Sequence, residues 1–254
     1  MEERGERRPS PMRSLGRALD VLAVLEQSRK PLRLSEIARQ ASLHVATTQR
    51  ILGVLELHGY VAREPAGYTV GVVALANAHA YLMSSSLAQA AMPVLRDLAE
   101  ATQLTASLSV RVGLSRVLIA RVEGASPLRY QLPVGERLPL HVGAGRVIAA
   151  TLSSDEVDQL LAMVGPIHLA SGQSVSPEQF RRDLETVRQQ GYAVSSNERV
   201  AGAASVAAPV LDANGDLVAM LQIAGLAEDV RIESPERYVA ELKLAGDAIA
   251  RRLT

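Results

Sequence analysis

The 254-residue chain has no cysteine, and that absence removes disulfides, thiol catalysis and cysteine-ligated zinc or iron–sulfur centres together. It also has no apolar run long enough to cross a bilayer, and no charged start with a hydrophobic core and a cleavage site opens it. A cytoplasmic protein without a membrane partner is therefore expected. Walker-type phosphate loops and a GxSxG nucleophile elbow are missing. The five histidines, His44, His58, His79, His141 and His168, are scattered with no pair at ligand spacing, so neither a metal nor a cofactor is expected. Net charge is missing too: 27 basic residues balance 27 acidic ones, and among the basic set only Lys30 and Lys243 are lysine.

The balance is uneven along the chain. Residues 1–70 carry 11 Lys or Arg against 8 Asp or Glu, and residues 71–254 carry 16 against 19, so a +3 segment precedes a −3 remainder. A positive bias of this size supports nucleic-acid binding only weakly, and pairing two chains would double it. The length allows one large or two modest domains, with ample core to fold without staples.

What is present begins with residues 34–71, LSEIARQASLHVATTQRILGVLELHGYVAREPAGYTVG. Ser35 reads as a cap for the amides of Glu36 to Ala38, and Ile37, Ala38 and Ala41 supply an apolar stripe. Ser42 and Leu43 form a turn. A longer helix follows from about Val45 to His58, with Ile51, Leu52, Leu55 and also Val54 as candidates for its inner face, and Gly59 stops it as a left-handed cap. Strands Tyr60 to Arg63 and Tyr68 to Val70, joined through Pro65 and Gly67, make a hairpin. Helix, turn, helix and hairpin in that order outline a winged helix-turn-helix. Upstream, Leu15, Ala18, Leu19, Leu22 and Leu25 repeat at helical spacing and predict the supporting first helix. Residues 1–13, with four arginines, three glutamates and two prolines but no apolar period, predict a disordered arm.

In the second helix of the pair, Val45, Thr48 and Gln49 are the candidates for base contacts, and Arg17, Thr47, Arg50 and Arg63 for phosphates. A solvated helix face or an intramolecular ion pair is the competing reading for each.

Beyond the wing, one helix is expected to about Ser84 and another from about Leu87 to Ala101, with Pro93 near the start of the second or kinking it. The first, carrying Val72, Leu75, Ala76, Tyr81 and Leu82, is too apolar to stand alone; it pairs with a copy of itself or packs on its own domain. From Thr105 the period changes to two: Ala106 to Val112, Val117 to Val122 and Leu128 to Leu132 read as strands. Helical segments follow at Gly143 to Leu152, Asp155 to Met163 and Pro177 to Gln190. Tyr192 to Val194, Ser205 to Leu211 and Leu217 to Ile223 return to strand, and a helix from about Pro235 to Arg252 closes the chain. The fold class is α+β: arm 1–13, DNA-reading domain 14–71, linker helix 72–86 and a mixed α/β sensor domain 87–254.

With both halves in view the chain resembles the IclR family of bacterial transcriptional regulators over nearly everything after Ser14. The carriers in the first half are Ser14, Leu15, Arg17, Ala18 and Leu19, then LSEIA from Leu34, Thr47, Arg50, Leu52, Leu55, Gly59 and Tyr60. In the second they are RLPLHVGAGRVIAA from Arg137 and GYAVSSNERVAGAASVAAPVLD from Gly191, where Gly191, Ser195, Glu198, Ser205, Val206, Ala207, Val210 and Asp212 fall at the family's spacings and Leu211 stands where an aromatic residue is usual.

The resemblance implies a winged helix-turn-helix on a linker helix and a GAF-like domain that binds a small-molecule effector, in homodimers or homotetramers on double-stranded promoter or operator DNA. Repression is favoured over activation. The positions it carries over for the effector are Gly143, Ala144, Ser195, Ala203, Ser205, Gln222 and Ala224, a small and uncharged set. The amides at Gly143 and Ala144 open a helix and suit a carboxylate, with Arg129 as another acid partner; Ser205 and Gln222 otherwise only satisfy buried backbone groups. Two competing functions are a ligand-independent DNA-binding architectural protein and a small-molecule hydrolase using Ser195, Ser196 or Ser205 with His141 and Asp212.

Overall fold

The structure is a computed structural model that describes residues 12–125, 132–230 and 234–253. Residues 1–11 of the arm expected over 1–13, and residues 128–131 of the strand expected over 128–132, Arg129 among them, lie outside the described residues. The chain divides into two compact units, one ending at Tyr81 and the other beginning at Leu82.

The first unit runs α1 (Arg13–Glu26), α2 (Leu34–Gln40), α3 (Val45–Leu57) and a two-stranded antiparallel wing, β1 (Val61–Glu64) with β2 (Gly67–Val70). Its core is small: Val21, Leu25, Ile37, Leu52 and Val61. Helix α1 buries Val21 and Leu25, whereas Leu15 and Leu19 of the expected stripe are exposed. Leu25 is buried and Ala18 and Leu22 are half-buried as expected, and Val21 completes the inner face in place of Leu15 and Leu19. Ser35 does not cap α2; the Glu36 carboxylate instead accepts from the Arg33 amide at 2.7 Å and closes the helix start. Ser42 turns with φ 54 and Gly59 ends α3 with φ 73, as expected. Val54 faces solvent, and Leu52 alone is fully inside among the four inner-face candidates.

Helix α4 (Val73–Ser84) follows and buries none of its residues; the boundary between the units falls within it. In the second unit α5 (Ser86–Thr102) is capped by Ser85, whose Oγ accepts from the Ala88 amide at 3.2 Å. Pro93 is interior to α5 rather than near its start.

An antiparallel six-stranded sheet follows: β3 (Thr105–Val112), β4 (Ser115–Val122), β5 (Arg137–Pro139), β8 (Ala193–Ser196), β9 (Ala203–Leu211) and β10 (Leu217–Leu226). The spatial order is β5-β4-β3-β10-β9-β8. Between β5 and β8 come a 3₁₀ turn (Gly143–Gly145), α6 (Arg146–Ala149), α7 (Ser154–Val164), a short hairpin of β6 (Ile167–His168) and β7 (Ser174–Val175), and α8 (Pro177–Gln190); α9 (Glu236–Ala250) ends the chain. The helix expected over 143–152 is thus a 3₁₀ turn running into one α turn. Three short strands, β5, β6 and β7, are additions to the sequence reading.

Strand alternation sorts the core onto two faces. Val206, Ala208, Leu221 and Ile223 point toward α5 and α9, joining Leu95, Leu98, Val239, Leu242 and Ile249. Ala207 and Met220 point the other way and meet Val147, Ile148, Leu160, Phe180 and Leu184 of α6, α7 and α8. On that second face, toward the middle of the sheet, the row turns polar: Thr105, Ser107, Ser109, Arg116, Ser195, Ser205 and Gln222 are all buried. Sheet polarity of this kind positions a site.

Gly53 lies mid-way along α3, and a Cβ built there meets nothing within 4 Å. Interior glycine costs a helix roughly 0.5–1 kcal/mol relative to alanine. Gly53→Ala is expected to raise the unfolding free energy of the first unit by about that amount in urea titration.

Candidate functional site

The first site is the outer face of α3. Val45, Gln49 and Arg50 are exposed, as are Ala46 and Gly53 on the same side, and Thr47 is half-buried. Thr48 is not available: it is 0% exposed, and its Oγ1 donates to the His44 carbonyl one turn back at 3.2 Å. It belongs to the core side of the helix, so its assignment to base contacts is corrected. The polar run Thr47 to Arg50 covers more than half a helical turn, and one of four consecutive residues has to point inward. Arg63 of the wing is exposed, with its guanidinium 5.8 Å from the Tyr68 ring centroid, a cation–π distance. Arg17 on α1 is exposed. Ala46 and Gly53 are small enough to let a backbone or base edge approach α3 closely; sequence reading passed over them because neither carries a polar group.

The second site is a small cavity on the polar face of the six-stranded sheet, about 30 Å³ in volume. All seven positions carried over for the effector border it: Gly143 and Ala144 from the 3₁₀ turn, Ser195 from β8, Ala203 and Ser205 from β9, Gln222 and Ala224 from β10. Antiparallel register explains the convergence. Ser195 stands opposite Ser205, and Ser205 opposite Ala224, on adjacent strands. The two serine hydroxyls are 2.8 Å apart and share a hydrogen bond.

Three charged residues line this cavity, one of them the half-buried Arg199 and two whose roles escaped the sequence reading. Arg116 is 2% exposed, and its Nη1 donates to Ser109 Oγ at 3.2 Å and to Gln222 Oε1 at 3.3 Å. Taking a guanidinium out of water costs on the order of several kcal/mol before any partner repays it. The strand was expected to begin at Val117, which left Arg116 in the turn. In the structure β4 starts at Ser115, where β3 sets Val112 opposite Ser115 and Arg111 opposite Arg116, and β5 sets Leu138 opposite Arg116 on the other side. A register shift between Leu108 and Ser109 leaves Ile119 as an extra residue on β4. That bulge puts Arg116 and Arg121, five residues apart, on the same face instead of opposite ones.

The other group is Glu198, on the β8–β9 connection. Its Oε2 accepts from the Gly143 amide at 2.8 Å and its Oε1 from Arg146 Nη2 at 2.5 Å. Arg146 Nη2 also reaches the Val194 carbonyl at 2.7 Å, and its Nη1 lies 3.8 Å from Asp183 Oδ2. The Gly143 amide expected to take a ligand acid is therefore held by an internal one. Gly143 has φ +63, and a Cβ at Gly145 would sit 2.4 Å from the Pro139 carbonyl oxygen, so both glycines are needed for this turn. Burial pushes the Glu198 carboxyl above its ordinary value; the Arg146 charge and the Gly143 amide pull it down and the Asp183 charge adds to the rise.

The rest of the 191–212 signature is structural. Gly191 caps α8 at φ 76, Val206, Ala207 and Val210 are core, and Asp212 Oδ1 accepts from the Asn214 and Asp216 amides to hold the β9–β10 turn. His141 Nδ1 is buried without a hydrogen-bond partner, and burial lowers its pKa. One Ser–His contact is exposed on the β6–β7 hairpin, where His168 Nδ1 and Ser174 Oγ are 2.9 Å apart; it involves neither His141 nor Ser195, Ser196 or Ser205. No cluster of three His, Asp or Glu suited to a metal ion occurs among the described residues, and no described helix is long and apolar enough to cross a membrane.

Because the folded-state value of Glu198 lies above the ordinary 4.5, the folded protein takes up this proton before the unfolded chain does. The stabilisation is complete below about 4.5 and is lost as pH rises through the higher folded value. Melting temperatures of the wild type should therefore fall relative to Glu198→Gln as pH rises through that window. Parallel pH profiles for the two proteins would contradict the assignment.

Residues 14–65 match the model of the IclR helix-turn-helix domain, and residues 79–251 match that of the bacterial transcriptional regulator IclR C-terminal region. The transcriptional repressor IclR of Escherichia coli strain K12 is 30% identical over 219 residues, 84% of this chain and 80% of the relative. The acetate operon repressor of Salmonella typhimurium is 31% identical over the same coverage. Among solved structures, the Thermotoga maritima IclR aligns with a TM-score of 0.63 at 28% identity, over 95% of this chain and 99% of that one. An IclR homologue from Microbacterium hydrocarbonoxydans, complexed with 4-hydroxybenzoate, aligns with a TM-score of 0.70 at 22% identity, over 94% and 98%. A winged helix-turn-helix unit and a cavity-bearing sheet unit in one chain, matched by both halves of one family, make this protein a member of the IclR family of bacterial transcriptional regulators.

Proposed function

We propose that this chain is a repressor that binds promoter DNA through α3 and the wing, as a homodimer or homotetramer, and whose DNA affinity is set by a small molecule in the sheet cavity. The observation that carries the reading is a buried, arginine-bearing polar cavity in the same chain as an exposed recognition-helix face. The working division is a DNA-binding domain over 14–71, a linker over 72–86 and an effector domain over 87–254. Val45 and Gln49 contact bases in this scheme, and Arg17, Thr47, Arg50 and Arg63 contact phosphates. Glutamine pairs with adenine in the major groove, while arginine neutralises phosphate or reads guanine.

Self-association is assigned to α4. Val72, Leu75 and Met83, at its start and along it, are 77%, 71% and 64% exposed, a row of large apolar side chains that solvent does not favour. Two copies also double the modest positive charge of the DNA-reading half and place two recognition helices about one helical turn of DNA apart. A purely architectural role would leave the polar cavity without a use. The Ser195 and Ser205 hydroxyls bond to each other rather than to a base, which favours binding over turnover. The 4-hydroxybenzoate held by the Microbacterium homologue makes small aromatic acids a sensible first group for a ligand screen.

Fluorescence anisotropy on DNA flanking the gene, across a salt series, tests the DNA half of the reading. Arg50→Ala is expected to weaken binding to all sequences alike and to reduce the salt slope by about one. Thr48→Val should leave affinity and sequence preference unchanged, because its side chain never reaches the duplex. An unchanged salt slope for Arg50→Ala would remove that residue from the interface. Specific DNA binding that no metabolite alters would end the sensor reading.

A further inference from the structure

The outer face of α3 is short of the groups that read guanine and cytosine. Guanine is met most often by arginine or lysine and cytosine by a carboxylate, whereas α3 carries one cation, Arg50, and one acid, Glu56, the latter in its last turn. Its first turn holds neither. That turn offers Val45 instead, 50% exposed, with Ala46 exposed beside it. Val45 takes no part in the apolar core of the first unit, and its β-branch lowers helix propensity, so neither packing nor helix formation accounts for it. Successive helical residues turn by about 100° and climb about 1.5 Å. Val45, Ala46 and Gln49 therefore share an arc of about 100°, and Gln49 stands about 6 Å farther along the axis than Val45, close to two base-pair steps of about 3.4 Å. Thr48 falls outside that arc and is buried.

We propose that Val45 reads the 5-methyl group of a thymine, with Gln49 on an adenine within about two base pairs of it, so that the DNA facing the start of α3 is selected for A·T pairs. The thymine methyl is the apolar group that the major groove presents, and an apolar side chain is what meets it. Ala46 leaves the approach open, its side chain being too short to hold a base edge away. The Gln49 amide carries both a donor and an acceptor, the pair that adenine N7 and N6 require. Arg50, beside them on the helix, goes to the phosphates, which fix the position of the helix without choosing a sequence. This inference rests on the DNA-binding reading above and adds to it the bases that are chosen.

The test uses the duplexes that the full-length protein enriches from a library of random sequence. On the best of them each thymine is replaced in turn by deoxyuridine, which pairs in the same way but lacks the methyl group, and binding is followed by fluorescence anisotropy. At the thymine facing each recognition helix, loss of the methyl should weaken binding by about fourfold, the worth of about one methyl group taken out of water. Val45→Ser should bind the thymine and deoxyuridine duplexes equally; Val45 is exposed, so the change leaves the core untouched. Cytosine at that position should weaken wild-type binding, and 5-methylcytosine should recover about the same factor of four. Gln49→Ala should lose the preference for the neighbouring adenine and keep the discrimination against deoxyuridine. Three results overturn the proposal while leaving a sequence-specific DNA-binding protein: a wild type indifferent to deoxyuridine everywhere, a discrimination that survives Val45→Ser, or a 5-methylcytosine that recovers nothing. An adenine preference that survives Gln49→Ala overturns it as well. If no duplex is enriched, the DNA-binding reading falls with it.

Discussion

One half-buried carboxylate ties the ligand-facing unit together. Glu198 holds the Gly143 amide through one oxygen and Arg146 through the other, and its backbone carbonyl accepts from Ala170 at 2.7 Å. A single residue of the β8–β9 connection thus fastens the 3₁₀ turn, the start of α6 and the β6–β7 hairpin. Removing one partner of such a pair leaves the other charged and half out of water, which costs more than the pair contributes when intact. The cavity keeps its shape because this connection is pinned on three sides. The same contact occupies the Gly143 amide.

The two units solve different packing problems. The first has a core of five fully buried apolar residues and depends on caps and turns: Glu36 at the start of α2, Ser42 and Gly59 at the corners. The second has a sheet covered on both faces and can bury a polar row in its middle, because large apolar clusters on either side keep the strands in register. Coupling between such units is a free-energy difference, typically 1–3 kcal/mol, and has to pass through elements with two arrangements. Helix α4, which joins the units and buries no residue of its own, is the element with least to hold it in one arrangement.

Much of this was legible in the residues. Apolar period and turn chemistry located all the long helices and the wing to within a few residues, and the signature from Gly191 to Asp212 led to the cavity. What escaped did so for physical reasons. Thr48 looks like its neighbours in sequence, and only the helical phase, set by burying Leu52 and Ile37 together, turns it inward. Arg116 sits at a strand start fixed by pairing with both β3 and β5, and on a face that the bulge at Ile119 selects; neither the pairing nor the bulge is written in the local pattern. Glu198 was visible as part of the spacing, but its role depends on the Gly143 amide 55 residues away.

The central claim is that occupancy of the sheet cavity and occupancy of the DNA face are linked. Linkage requires reciprocity: whatever factor a ligand imposes on DNA affinity, DNA must impose on ligand affinity. The direct measurement is the dissociation constant of a cavity ligand for the free protein and for the protein saturated with its promoter fragment. A difference of about 5- to 150-fold, equal to the factor by which that ligand changes DNA binding, is the predicted result. Identical ligand affinities in the two states would contradict it.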